Sequence, residues 1–162
     1  MAIWIKTDKE NVNWEQVAAV LDRSGLSHLD AATQEKVFRA SAVVAFVCDD
    51  DTIVGCARAL SDGVCQAAIF NVALNPEYQK RQLGRALIEA LLEQLKGQTV
   101  ILYTHPQTIG LYEKFGFRRQ KTGFVRFATD DEHMTWLEET GFLLPDGYRF
   151  GDNSYERIPK QG

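Results

Sequence analysis

The sequence predicts an α/β fold built on a mixed sheet, and three observations carry that reading. Asp62-Gly63 is the favoured chemistry of a type I′ hairpin, so the strand-like runs 53–60 and 64–74 are expected to be antiparallel neighbours. The helical pattern from about Leu83 repeats apolar residues on one face. A strand over 100–103 follows that helix after three residues, and a strand, a helix and a strand so closely joined imply a right-handed crossover that sets 64–74 parallel to 100–103.

Each element has its own local signal. A short strand over 2–6 opens the chain. Asn13 with Gln16 forms a capping box for a helix whose Trp14, Val17, Ala18 and Leu21 recur at i, i+3, i+4 and i+7, ending near Ser24-Gly25. Asp30 caps a second helix through Val37 and Phe38, and the connecting SGLSHLD is too polar to be core and too short to be a linker. Strands at 42–48, 53–60 and 64–74 come next. The following helix buries Leu83, Leu87, Leu91 and Leu95, with Ile88 and Leu92 widening the stripe, while Arg85, Glu89, Glu93 and Lys96 face water and Gly97 supplies the stop. Beyond the strand at 100–103, Pro106 suits the first position of a short helix through Phe115 that Gly116 ends, and Phe117 with 124–127 is expected to form a last antiparallel hairpin.

Composition bounds the function. The 162 residues, 45% of them hydrophobic, suit one domain with a single core. The opening MAIWIKTDKE lacks a charged n-region followed by an apolar h-region, and no apolar run approaches the roughly 18 residues that span a bilayer, so a cytoplasmic protein without a membrane partner is expected. A net charge of −4 and a pI near 5.4 argue against nonspecific nucleic-acid binding and mildly favour cationic partners.

The three cysteines, Cys48, Cys56 and Cys65, lie in successive strand-like runs. A four-residue loop over 49–52 would set Cys48 against Ile53 and Cys56 against Ala45, and a two-residue turn at 62–63 would set Cys65 against Leu60 and Cys56 against Ile69. No two cysteines meet in that register. With an odd count and no CxxC spacing, reduced thiols acting as small core residues are expected, and no metal.

The stretch NPEYQKRQLGRALIEALLEQLKG over 75–97 reads as a basic loop entering an amphipathic helix. Gln79, Lys80, Arg81, Gln82 and Arg85, punctuated by Gly84, would gather cations and unpaired backbone N–H groups where the helix dipole is positive, which is an anion site. A nucleotide triphosphate P-loop would instead need GxxxxGK(S/T).

Residues 53–127 resemble the GNAT superfamily of acetyl-CoA-dependent N-acetyltransferases. The family's strand-helix motif, Gln or Arg, two residues, Gly, one residue, then Gly or Ala, is matched here by Gln79, Lys80, Arg81, Gln82, Leu83 and Gly84, with Gln82 in place of the first glycine. A second block, LYEKFGF over 111–117, looks like the family's (L/F)YE(K/R)(L/F)GF, at the family's separation from the first. VGCARALSDG and IFNVALNPEYQ are further similar to the plant serotonin N-acetyltransferase group and bacterial relatives.

The resemblance implies a mostly antiparallel sheet, with helices on both faces and a central parallel pair splayed to admit acyl-CoA. It implies backbone contacts from Val72 and Leu74, with the Leu74 amide as oxyanion donor, and a pyrophosphate on amides of Arg81, Gln82, Leu83, Gly84, Arg85 and Ala86 flanked by Gln79 and Lys80. A β-carbon at Gln82 requires φ below zero or a looser contact. Tyr112 is the candidate acid for the departing thiolate. His105 stands where many relatives carry a CoA-contacting asparagine, and it could cap the helix, touch the pantetheine or relay a proton.

The general base is open. Asn71 stands where some relatives carry a carboxylate, leaving a water chain ending at His105, His28 or Asp62 as candidates. Leu26, His28, Phe38, Phe70, Asn71, Phe124 and Arg126 are the candidate acceptor-binding residues, a lining that suits a small, partly apolar amine. The acetyltransferase domain is expected over 1–128. An extension over 129–162 follows, whose Met134, Trp136, Leu137 and Phe142 suggest an element packed on the domain or on the partner of a homodimer, and whose Asp130, Asp131 and Glu132 suggest a solvated first turn. The expected activity is acetyl transfer from acetyl-CoA to a primary amine in a ternary complex. A protein or peptide amine is the alternative acceptor, and a non-catalytic acyl-CoA-binding module or sensor is the alternative function.

Overall fold

The computed structural model describes residues 2–148, which fall into two compact units, one through Tyr103 and one from Thr104. The first unit runs β1 (Ile3–Lys6), α1 (Trp14–Arg23), α2 (Ala31–Ala40), β2 (Val43–Asp49), β3 (Thr52–Ser61), β4 (Gln66–Leu74), a 3-10 turn (Pro76–Tyr78), α3 (Leu83–Gln94) and β5 (Thr99–Ile101). Its five strands lie in chain order, antiparallel at each junction except β4 with β5, which is parallel. The mixed sheet and the crossover read from the sequence are therefore present.

The helix caps act as the sequence indicates, with one difference. Asn13 Oδ1 accepts the N–H of Gln16 at 3.2 Å, and Asp30 Oδ1 accepts that of Thr33 at 2.8 Å. Gln16 does not close the reciprocal half of the box; its Oε1 accepts the Ile53 N–H at 2.9 Å, fastening α1 to the start of β3. Gly97 ends α3 with φ of +80°, a conformation that costs glycine little.

Side-chain alternation divides the sheet between two helical layers. Val44, Phe46, Cys48, Cys56 and Ala73 pack with Val17, Val20 and Leu21 of α1 and Phe38 of α2. The intervening positions carry small residues where α3 packs on β2, β3 and β4, burying Leu87, Ile88 and Leu91. Gly55 is the tightest point of that layer: a β-carbon there would stand 2.5 Å from Leu74 Cδ2 and 3.1 Å from the Ala73 carbonyl oxygen. The bare backbone of β3 thus sets where the end of β4 lies.

Two strand registers differ from expectation. Cys48 faces Ile53, but a shift between Val47 and Cys48 sets Cys56 against Phe46 rather than Ala45. The Asp62-Gly63 turn is longer than two residues, because Asp62 Oδ1 accepts the N–H groups of Val64, Cys65 and Gln66 at 2.7, 2.8 and 3.1 Å and delays β4 until Gln66. Cys56 consequently faces Ala73 rather than Ile69, and Cys65 leaves the strand for the exposed loop. All three cysteines are free, but only Cys48 and Cys56 are core residues.

The second unit holds a 3-10 turn (Pro106–Thr108), α4 (Ile109–Glu113) and α5 (Asp131–Glu139). Asp130 caps α5 through the His133 N–H at 2.9 Å, Leu137 is buried, and Trp136 stacks on His133 and Phe142 at 5.5 and 5.7 Å between centroids. The hairpin expected from Phe117 and 124–127 is absent among the described residues, where that stretch is irregular and Phe124 is 99% exposed. So short an apolar run gains strand geometry only from an adjoining edge, which local pattern does not specify.

Gly55→Val is expected to lower the unfolding free energy by about 2 kcal/mol through overpacking against Leu74 and Val47, read from urea midpoints. Three backbone donors hold the Asp62 carboxyl well below the usual carboxylate range. A carboxyl depressed in the folded state adds stability above its unfolded pKa and loses it as pH falls. The wild type should lose this contribution progressively below about pH 4, and Asp62→Asn should show a flatter acid limb in thermal melts from pH 2 to 6.

Candidate functional site

β4 is the centre of the site because it loses one neighbour before it ends. Its pairing with β5 covers only Gln66, Ala67 and Ala68 against Thr99, Val100 and Ile101. From Ile69 onward that edge has no strand partner among the described residues, so its backbone polar groups are available to another molecule. On the other edge Arg58 pairs with Phe70 and Cys56 with Ala73, so that Asn71 and Val72 oppose Ala57 alone. This is a β-bulge, and Asn71 holds it with a left-handed φ of +57°. Val72 lies on the bulge and Leu74 two residues past it, on the face where α3 begins; a β-carbon at Gly84 would be 3.6 Å from Leu74 Cδ1.

The loop between β4 and α3 is strained at two points. Lys80 has φ of +65° and Gln82, the N-cap of α3, has φ of +59° and ψ of 14°. The negative φ required of Gln82 for close approach is thus not adopted: the chain keeps the left-handed turn that a glycine would take there, and glutamine bears the steric cost. Gln82 makes no side-chain cap, so the first-turn N–H groups of α3 receive no acceptor from it, and the positive end of the helix dipole faces outward.

Lys80, Arg81 and Arg85 are exposed around this turn. Arg81 lies over the Tyr78 ring at 5.3 Å, and the Tyr78 hydroxyl donates to Asp49 Oδ2 at 2.5 Å, which anchors the loop to β2. Arg85 Nε pairs with Glu89 at 2.8 Å, and Gln79 Nε2 approaches the Leu74 carbonyl at 3.5 Å. An anion with several oxygens fits this donor set: helix-terminal N–H groups, three cations and the exposed Gln79 amide. Leu83 and Ala86 are half-buried, turned to the helix's packed side.

The candidate acceptor residues divide. Phe38 is fully buried between Trp14 and Phe46, a core position. Leu26 and His28 are exposed in the α1–α2 loop, where His28 Nδ1 meets Asp22 Oδ1 at 2.5 Å. Phe70 and Asn71 do come together, and they gather two residues that sequence reasoning missed, Arg58 and Tyr103. Arg58 Nε donates to Asn71 Oδ1 at 2.7 Å, its guanidinium lies 5.0 Å over the Phe70 ring, and Tyr103 meets that ring edge-on at 6.0 Å. Burial draws the Arg58 pKa below its ordinary value. The available signal was Arg58 itself, the one charge in the run IVGCARAL.

Asp62, a candidate base, spends its carboxylate on its own loop and is a poor proton acceptor at neutral pH. In the second unit His105 Nδ1 accepts the Gln107 N–H at 3.1 Å, so this histidine caps the turn leading into α4, and its ring meets Phe142 at 5.2 Å. Tyr112 is buried against Phe117, with ring centroids 5.9 Å apart. Desolvation raises its pKa above that of an ordinary phenol, opposed by a hydrogen bond with Thr104. Phe124 and Arg126 are exposed in the irregular segment of that unit.

The model of the Acetyltransferase (GNAT) family matches residues 10–117. GCN5-related N-acetyltransferase 1, chloroplastic, of Arabidopsis thaliana is 32% identical over 118 residues, which cover 70% of this chain and 60% of that protein. Serotonin N-acetyltransferase 2, chloroplastic, of Oryza sativa subsp. japonica is 39% identical over 67 residues, covering 40% of this chain and 34% of that protein. A GNAT family acetyltransferase structure from Streptococcus pneumoniae superposes with a TM-score of 0.68 at 25% identity, covering 80% of this chain and all of that one. The chain thus spans 60% or less of the curated relatives named here.

Gln82→Gly is expected to raise the unfolding free energy by about 0.5–1 kcal/mol, since relief of left-handed strain exceeds the entropy that glycine loses. Gln82→Val should lower it by about 1 kcal/mol, because β-branching worsens the same conformation. Chemical denaturation of the three proteins checks both signs.

Proposed function

Because the chain belongs to the acetyltransferase (GNAT) family, we propose that it transfers the acetyl group of acetyl-CoA to a primary amine, most simply a small molecule, by direct attack in a ternary complex. The observation that carries this reading is the edge of β4 beyond Ala68, without a strand partner among the described residues, which runs through the Asn71–Val72 bulge directly into a cationic loop and helix N-terminus. A strand edge suits an extended pantetheine arm with its amides, and the loop suits the pyrophosphate at the arm's far end.

The donor supplies the activated acyl carbon; the chain's residues bind, orient and handle charge. Val72 is assigned to the arm and the Leu74 N–H to the oxygen that gathers negative charge, a contact worth about 3 kcal/mol where such donors have been removed. Amides at 81–86, with Gln79, Lys80 and Arg85, hold the pyrophosphate. The amine forms the C–N bond as the C–S bond breaks, the ammonium gives up a proton, and the leaving thiolate takes one. Tyr112 is assigned as its donor on the strength of the LYEKFGF block, since a phenol carries its proton at neutral pH and has an acidity near that of a thiol. His105, with Nδ1 committed to the cap, has Nε2 left for the cofactor.

The same proposal takes 1–128 as the catalytic domain, 129–162 as an extension, a cytoplasmic location and no nucleic-acid or membrane partner; a homodimer is its candidate assembly. A second reading, an acyl-CoA-binding module without turnover, draws on Asn71, an amide at the bulge where a carboxylate would serve as base.

A panel of amines with acetyl-CoA and a thiol-detecting reagent separates the two: amine-dependent thiol release is expected, and CoA binding without release across diverse amines would sink the enzyme reading. Tyr112→Phe is expected to lower kcat by about 10–100-fold with CoA affinity within twofold of wild type. Unchanged kcat would remove the acid assignment.

A further inference from the structure

Arg58 is a half-buried cation whose hydrogen-bond partners among the described residues are all neutral. It stands on β3 across from Val44 on one side and Phe70 on the other, so its side chain shares the α1/α2 face of the sheet. Nε donates to Asn71 Oδ1 at 2.7 Å and Nη1 to Ser41 Oγ at 3.4 Å, a long contact. Nη2 has no acceptor among the described residues, and no carboxylate of those residues pairs with the guanidinium. A guanidinium stays charged in proteins, and withdrawing it from water without a counter-charge is costly.

The geometry holds this group ready for a ligand. Asn71 fixes Nε, and the Phe70 ring 5.0 Å away fixes the plane, so the fork of Nη donors is presented with little freedom left to lose. Fixing the bulge would use one hydrogen bond; the remaining donors suit the two oxygens of a carboxylate. Asn71, which Arg58 holds, lies three residues before Leu74, about 10 Å along a strand. That separation spans a short aliphatic amine. The net charge of −4 would not draw an anion in from a distance, so discrimination falls to this local cation.

We propose that Arg58 binds a carboxylate on the acceptor, making the preferred substrate a primary amine that carries an anionic group several bonds from its nitrogen. This rests on the acetyltransferase reading and narrows it to a class of acceptor. Asn71 then has a positive role, as the neutral partner that orients Arg58 without neutralising it.

The test compares ω-amino carboxylates, from glycine to 6-aminohexanoate, with alkylamines of equal chain length, using acetyl-CoA and thiol release by the full chain. At least one carboxylate is expected to exceed its alkylamine about tenfold in kcat/KM. Arg58→Gln should abolish that advantage while the KM for acetyl-CoA stays within twofold, and Arg58→Lys, which keeps the charge and loses the fork, should retain part of it. Alkylamines equal to or better than carboxylates throughout, or an Arg58→Gln protein that loses both series alike while still folded by circular dichroism, would overturn the assignment. Calorimetric titration of 4-aminobutyrate and butylamine into the CoA-saturated protein reads the same selectivity without turnover. Selective, Arg58-dependent binding with no thiol release would sustain the carboxylate site and defeat the acetyltransferase reading; equal or absent binding of the two would defeat the site.

Discussion

A strand paired along one edge but, among the described residues, without a strand partner beyond Ala68 on the other is the constraint around which this molecule is arranged. Backbone N–H and C=O groups must find partners, and β4 is paired to β3 on both sides of its bulge but to β5 only as far as Ala68. The bulge at Asn71–Val72 interrupts the ladder to β3 three residues beyond the end of that support. Gly55, bare opposite Leu74, lets the end of β4 lie close against β3. The proposed chemistry uses what this arrangement leaves over: an extended backbone edge of fixed position, at the entrance to a helix whose dipole favours anions.

Strain accompanies that edge. Three non-glycine residues near it, Asn71, Lys80 and Gln82, hold positive φ, and each is restrained in the first unit by what surrounds it: Arg58 on Asn71, and the Tyr78–Asp49 and Arg81–Tyr78 contacts around the loop. Asparagine tolerates the left-handed region through local hydrogen bonding, whereas lysine and glutamine do so less readily. Gln82 therefore changes the energy of the turn and not its shape, which is why a chain lacking the customary glycine still presents the helix terminus.

Charge follows the same division between local and global. The chain as a whole is acidic, yet the residues around the β4–α3 junction are cationic and Arg58 lies behind the bulge without an acidic partner among the described residues. The two positive features serve different groups on the proposed ligands, phosphate at the helix terminus and carboxylate beside Asn71. The one carboxylate among the candidate bases, Asp62, is spent on its own hairpin.

What the sequence determined by itself was the elements of the first unit and the basic loop that enters α3. Apolar residues at helical spacing located α1 and α3, Asn13 and Asp30 marked helix starts because a short polar side chain caps whatever N–H groups follow it, and the Gln79–Gly84 and LYEKFGF blocks carried the family. These are short-range effects, decided within a turn or two of chain. Tertiary structure alone decided the strand registers, the bulge and the Arg58–Phe70–Asn71–Tyr103 group. Register depends on how many N–H groups Asp62 collects and on where Gly55 yields space, neither of which periodicity records. Arg58 meets Asn71 only because two antiparallel strands place residues 13 apart in sequence at hydrogen-bonding distance. The irregular stretch at 117–127 is the converse case, where a strand-like pattern in the chain finds no ladder among the described residues, since a strand exists only when another edge completes it.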